Sequence, residues 1–274
     1  MSTTTGLSST TVTTKRGITC QVLTGGPADG APLVAFHGAG GHLADEPMLQ
    51  RLAERYAVYS PVWPGYGVEE GEELIEDMLD FALHGWDIVD ALERGAGFGG
   101  SVHLVGHSMG AMIAAEMATI AAHDLDRLVL VDPMGLWLGE HPIPDIFAML
   151  PFEFPDLLFA DVAAGTALLA GGLDFGDPKA IEKFTVDNSR RLGTAGKILF
   201  PVPNRRLSKR LYRVGAPTLL LWGAADKFIL TEPYSAAWQA ALPQAELTVI
   251  DGAGHMLPLE QPAITAKTIQ AFLG

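Results

Sequence analysis

The chain has 274 residues, 48% of them hydrophobic, with 32 acidic against 18 basic side chains and a formal net charge of −14. That length buries a sizeable core in one large domain, or in one domain with an insertion. The acidity argues against nucleic acid as a partner, because it repels a phosphate backbone, and the single cysteine, Cys20, allows no internal disulfide.

In chain order, the opening Met1 to Val12 is polar and reads as a frayed tail without the apolar core of a signal peptide. Thr11–Thr14 and Ile18–Leu23 flank Lys15-Arg16-Gly17 as a hairpin, which places Cys20 in a strand as a buried small hydrophobe. Pro32–Phe36 is an apolar strand that stops at His37-Gly38-Ala39-Gly40-Gly41. Met48–Arg55 has helical spacing, and Tyr56–Ser60 is a strand ended by Pro61, Pro64 and Gly65. Glu69–Leu92 reads as one long amphipathic helix with acids in its first turns, where the helix dipole favours them.

Val102–Val105 and Leu128–Val131 are buried strands around a small-residue helix, Ala111–Ala122. The alternation pauses over 135–212, which is rich in Pro, Phe and Leu but shows no clear strand. It resumes with the strand Thr218–Trp222, a helix at Pro233–Ala241, the strand Leu247–Ile250 and a helix at Ile264–Leu273. Apolar strands alternating with helices predict an α/β fold whose mostly parallel sheet is covered on both faces. The expected organisation is a core of 1–134 and 213–274 with a helical cap inserted at 135–212. No run of about 18 apolar residues predicts a membrane span, and the expected location is the cytoplasm.

Gly106-His107-Ser108-Met109-Gly110 matches G-x-S-x-G, and its context gives the match weight. It follows an apolar strand and opens a helix, the strand–turn–helix setting that the motif needs. The serine occupies a sharp turn, and the flanking glycines leave room where side chains would strike backbone. With His37-Gly38-Ala39-Gly40, Trp222-Gly223-Ala224-Ala225-Asp226 and Gly254-His255 in this order and spacing, the chain resembles a cap-bearing α/β-hydrolase from about Val22 to Leu273.

The resemblance implies a serine hydrolase with Ser108 as nucleophile. His255, in the loop before the last helix, is the base that the chain order Ser…Asp…His places last. The acid that orients the imidazole is Asp226, in Trp-Gly-x-x-Asp, with Asp132 at the end of the preceding strand as its rival. The implied oxyanion hole uses the N–H groups of Met109 and Ala39. An aspartate nucleophile, as in epoxide hydrolases and haloalkane dehalogenases of this fold, is absent at position 108.

The expected chemistry is cleavage of a carboxylic ester or related acyl compound, small and apolar, through an acyl-enzyme. The expectation is carboxylesterase-like and needs no cofactor and no metal. Two alternatives stay open: carbon–carbon hydrolysis of the meta-cleavage type, and a non-catalytic small-molecule-binding protein of the same fold. The partner is a small-molecule substrate, and the oligomeric state is left open, with a homodimer as one option. Phe147, Met149, Leu150, Phe152, Phe154, Leu157, Leu158 and Phe159 are read as packing the cap, with a few lining an apolar pocket. The basic cluster Arg205, Arg206, Lys209, Arg210 and Arg213 is read as solvated surface, or more weakly as an anion handle. Gly95–Gly100 fits G-x-G-x-x-G but lies between a helix and a strand, the wrong order for a dinucleotide turn.

Overall fold

A computed structural model describes residues 6–274 except 44, 68–69, 98–99, 122–123 and 171–175. Eight strands form one sheet: β1 (Ser8–Thr13), β2 (Thr19–Gly25), β3 (Pro32–Phe36), β4 (Ala57–Pro61), β5 (Val102–His107), β6 (Leu125–Val131), β7 (Thr218–Gly223) and β8 (Glu246–Ile250). Their spatial order is β1-β2-β4-β3-β5-β6-β7-β8. The β1–β2 and β2–β4 pairs are antiparallel, and all later pairs are parallel. The central strands β5 to β7 are buried along most of their length, which is why they read as predominantly apolar runs.

One face of the sheet is covered by α2 (Met78–Ala96) and α3 (Met109–Ile120), the other by α1 (Pro47–Leu52) and α9 (Pro262–Leu273). Every residue of α3 from Met109 to Thr119 is buried. Small residues let the helices approach closely: a Cβ at Gly85 would stand 2.4 Å from Met117 Sδ. Trp86 Nε1 donates to Met117 O across the same contact (3.1 Å).

The structure departs from the sequence reading at several elements. Residues 8–12 are not a frayed tail but most of β1, paired with β2 from Ser8↔Thr24 to Thr13↔Thr19. This edge strand is exposed on both faces, so it carries no apolar alternation to read. The helix expected from Glu69 begins at Met78. Asp77 Oδ1 accepts from the N–H of Leu79 and Asp80 and caps it there. Gly71, at φ 123, and a short 3-10 turn at Glu72–Leu74 precede it, and position 69 lies outside the described residues. The helix closes on Gly97, whose left-handed φ of 71 supplies the end cap.

Between β6 and β7 the chain forms α4 (Phe154–Leu158), α5 (Val162–Leu169) and α6 (Pro178–Leu199), with no strand among the described residues. This helical insertion is tied to the core by polar contacts. Arg190 pairs with Glu72 (2.6 Å), Lys197 Nζ donates to Glu72 O and Ile75 O, and Arg191 donates to Gly40 O (3.2 Å). Phe159 is buried and Phe147, Phe154, Leu157 and Leu158 pack on the core, whereas Leu150 and Phe152 face outward.

The basic cluster is only in part the expected solvated surface: Arg206 and Lys209 are exposed, whereas the other three make specific contacts. Arg210 grips the Glu116 carboxylate through two nitrogens (2.6 and 2.9 Å), Arg213 donates to Thr119 O (2.6 Å), and Arg205 donates to Lys197 O and Phe200 O. Arg210 and Arg213 fasten the end of the insertion to α3, and Arg205 ties it back to the end of α6. Among the described residues no helix is long and apolar enough to cross a membrane.

Candidate active site

Strands β3 and β5 are parallel neighbours in the register Phe36↔Gly106, so the loops that leave their carboxyl ends run side by side. The turn after β5 holds Ser108 at φ 56, ψ −116, outside the regions that L-residues prefer. What holds the strain is contact on all sides. Ser108 N–H donates to Val131 O (2.9 Å), and Ser108 O accepts from Ala111, Met112 and Met134. A Cβ at Gly106 would stand 2.5 Å from Ala111 Cα, and one at Gly110 only 2.3 Å from Phe36 O. The two glycines of the motif are therefore required by backbone proximity.

Ser108 Oγ lies 2.8 Å from His255 Nε2, and His255 Nδ1 lies 2.9 Å from Asp226 Oδ2. The serine is 4% exposed and the histidine 2%. Because a carboxylate only accepts, the neutral imidazole carries its proton on Nδ1, and its Nε2 lone pair faces the hydroxyl. Asp226 is fixed by its own turn after β7: Oδ1 accepts from the N–H of Phe228 (2.8 Å) and Ile229 (2.9 Å). Asp132 makes no such contact with the imidazole; its Oδ1 accepts from Gly223 N–H at 2.9 Å.

The loop carrying His255 follows β8 and is secured from several directions. Ala225 N–H donates to Ala253 O (2.9 Å), and Glu260 Oε2 accepts from Gly254 N–H (2.7 Å). Met256 N–H donates to Leu158 O in the insertion (3.1 Å). Three residues that the sequence reading did not single out for this site take part. His107, the variable residue before the serine, donates from Nε2 to His255 O (2.8 Å), and the two rings stand 5.2 Å apart. Burial, reinforced by His255, holds its pKa down to about 3, so it stays neutral. Phe228 meets His255 edge-on at 4.8 Å. Glu260, besides holding Gly254, accepts from Ala160 and Asp161, joining the insertion to the histidine loop. For His107 the available signal is adjacency to Ser108, and for Phe228 its place two residues after Asp226.

The glycine-rich loop after β3 reaches the same point. A Cβ at Gly38 would touch both Ser108 Cβ and His107 Nδ1 at 3.2 Å. Ala39 follows, partly buried against the core. Met109 is the first helical residue of α3, so its N–H has no intrahelical acceptor. His37 is satisfied locally, with Nδ1 on Gly38 O and Nε2 accepting from Trp63 N–H. His42 turns away to Ser60 Oγ (2.8 Å) and, with Glu46 and His107, lines a cavity of about 40 Å³ behind this loop. His84 is buried beside Cys20, His103 is buried in β5, and His123 lies outside the described residues.

Glu46 on the cavity wall gives a pH prediction. Burial pushes its carboxyl up to about 7, against the opposing hydrogen bond from Leu43 N–H. The folded state therefore favours the protonated form. The resulting stability is complete below the unfolded value near 4.5 and is lost as pH rises through 7. Glu46→Gln, which keeps the acceptor, is expected to stabilise the protein by about 1–2 kcal/mol at pH 8 and hardly at all at pH 4.5, because water partly screens this half-buried side chain. Urea unfolding at both pH values checks it; equal gains at the two would refute the burial argument.

The sequence model of the Alpha/beta hydrolase family matches residues 33–268. "Lipase 1" of Psychrobacter immobilis is 26% identical over 266 residues, covering 90% of this chain and 78% of the lipase. The "Cis-3-alkyl-4-alkyloxetan-2-one decarboxylase" of Xanthomonas campestris pv. campestris is 25% identical over 282 residues, 94% of this chain and 93% of the relative. Among solved structures, a bacterial membrane phospholipase A described as a virulence factor superposes with a TM-score of 0.76 at 24% identity, over 98% of this chain and 86% of that one.

Proposed function

The chain belongs to the alpha/beta hydrolase family, and from that premise we propose that it is a serine hydrolase of small, apolar carboxylic esters working through an acyl-enzyme. The observation that carries this reading is the run of contacts from Ser108 Oγ to His255 Nε2 (2.8 Å) and from His255 Nδ1 to Asp226 Oδ2 (2.9 Å), in a buried site. Family membership alone does not choose the reaction: a lipase and a decarboxylase are about equally similar to the chain.

In the proposed cycle Ser108 Oγ attacks the ester carbonyl while its proton passes to His255 Nε2. Asp226 stabilises the imidazolium and keeps Nδ1 protonated. The carbonyl oxygen, now an anion, is held by the N–H groups of Met109 and Ala39, each such donor being worth about 3–4 kcal/mol of barrier. Collapse expels the alkoxide, which takes the proton from Nε2. Water, activated by the same imidazole, then releases the acid and restores the serine. The helical insertion acts as a cap whose apolar side chains meet the acyl chain, and Ser108 becomes reachable when that cap shifts.

A panel of p-nitrophenyl esters of graded acyl length tests the reading. The expected result is turnover with a maximum at short or medium chains, and covalent labelling of Ser108 by a fluorophosphonate. A folded protein that turns over no ester and leaves Ser108 unlabelled would reject it. Cleavage of a vinylogous diketone ring-fission product in preference to every ester would move the activity to carbon–carbon hydrolysis.

A further inference from the structure

A second buried aspartate stands near the one that meets the imidazole. Asp132 directly follows β6 at a left-handed φ of 44, with its N–H on Leu221 O (2.9 Å) and its side chain wholly buried. Its Oδ1 accepts from Gly223 N–H, but its Oδ2 is buried with no donor among the described residues. Asp226 is held at the same residue, its own N–H donating to Gly223 O (3.2 Å), so both aspartates are fastened to Gly223 at the end of β7. The donor counts of the two groups are unequal. Among the described residues the Asp226 carboxylate receives three N–H bonds, from Phe228, Ile229 and His255, whereas that of Asp132 receives one, from Gly223 N–H.

Two adjacent buried carboxylates do not both ionise, and the proton settles on the one with fewer donors to stabilise its charge. A proton on Asp132 Oδ2 would remove the unmet acceptor and add a fourth donor to Asp226, whose oxygens offer about four acceptor sites. We propose that Asp132 is a neutral carboxylic acid in the working protein and donates a hydrogen bond to Asp226, as a positioning residue that keeps the proposed triad acid ionised and moderates its pull on His255. Among the described residues the charges acting on Asp132 are Asp226, from the turn after β7, and Glu260, from the short helix α8 (Leu257–Glu260). Both are negative, and with burial they push its carboxyl well above the usual carboxylate range.

The inference rests on the triad reading, so its test uses one measurement that needs no turnover. Asp132 and Glu46 are the two carboxyls pushed upward among the described residues. In a Glu46→Gln background at pH 7, infrared spectroscopy is expected to show the C=O stretch of one neutral carboxylic acid, lost on adding Asp132→Asn. No such band in the Glu46→Gln protein overturns the proposal, even if the Asn variant fails to fold.

The second measurement is the pH profile of Ser108 labelling by a fluorophosphonate, whose acid limb reports ionisation of His255. Asparagine retains both an acceptor for Gly223 N–H and a donor for Asp226, so Asp132→Asn keeps the limb within about 0.3 of a pH unit of the parent. Asp132→Ala removes the donor, strengthens the field of Asp226 at the imidazole and moves the limb upward by about half a unit. If Asp132 is instead an anion, asparagine deletes a nearby negative charge and the limb falls by about 1 unit or more. That fall, or a limb unmoved in the alanine variant, overturns the proposal. A protein whose Ser108 is never labelled fails the serine-hydrolase reading itself, and the infrared band still decides the state of Asp132.

Discussion

Alanine in place of Ser108 is expected to lower turnover of the best ester by about 10⁵–10⁶-fold while leaving the fold and substrate binding in place. The physical reason is that the hydroxyl is both the nucleophile and the donor to His255 Nε2, at 2.8 Å, so its loss removes the covalent route and strands the imidazole beside a methyl group. The remaining rate comes from the N–H groups that hold the oxyanion and from binding alone. His255→Ala should cost about as much, and the double variant little more than either single one, because the side chains act as a unit. Asp226→Asn leaves the loop able to form but presents the wrong partner to Nδ1, with an expected loss of about 10⁴-fold. Single-turnover and steady-state kinetics on purified, folded variants check this set. A Ser108→Ala protein at wild-type rate would remove the basis of the mechanism, whatever the geometry.

How much of this was legible in the sequence depends on how local the governing physics is. Ser108 could be read because its requirements are written in adjacent residues: an apolar strand before it, a helix after it, and glycines at 106 and 110 whose substitution would drive a Cβ into backbone. His255 and Asp226 could be named as candidates because the resemblance implies the chain order Ser…Asp…His, and the loops after β7 and β8 bring both to Ser108. The preference for Asp226 over Asp132 rested on the resemblance, and the contact with His255 Nδ1 agrees with it. What Asp132 does could not be read. Its state follows from counting donors that arrive from β7 and from the loops after β7 and β8, and sequence spacing does not reveal that count.

The same limit explains the other departures. Ser8–Thr13 is a strand held by pairing with β2 rather than by burial, so hydrophobic periodicity is silent there. The acids before Met78 suggested a helix start, yet Asp77 takes the cap and Glu72 is drawn to Arg190 on α6, a partner more than a hundred residues away. Charged side chains near an element's end are ambiguous in sequence, because dipole, cap and long-range ion pair all favour them there.

Arg210 shows the same ambiguity with the larger energetic consequence. Glu116 lies inside α3 with its side chain 6% exposed, and its two oxygens are met by Arg210 Nε and an Nη of the same guanidinium, itself 34% exposed. A second bond from that nitrogen to Arg205 O holds the guanidinium in place. Arg210→Ala leaves a carboxylate buried without its partner, and the expected cost is about 3 kcal/mol, set by the stranded charge more than by the lost contact. For a protein of this size that lowers the melting temperature by roughly 6–10 °C. Replacing both partners with apolar residues of similar volume, Glu116→Leu with Arg210→Met, should recover most of the loss, because no charge then remains to be desolvated. Glu116 is eight positions beyond Ser108 on one helix, about 12 Å along its axis, so turnover at 25 °C should stay within about twofold in Arg210→Ala. Thermal unfolding and ester kinetics on the same samples separate the two effects. A melting temperature within about 1 °C of wild type would show that the pair is already paid for by solvent; a loss of turnover at 25 °C without a loss of stability would place the end of the insertion in communication with the nucleophile.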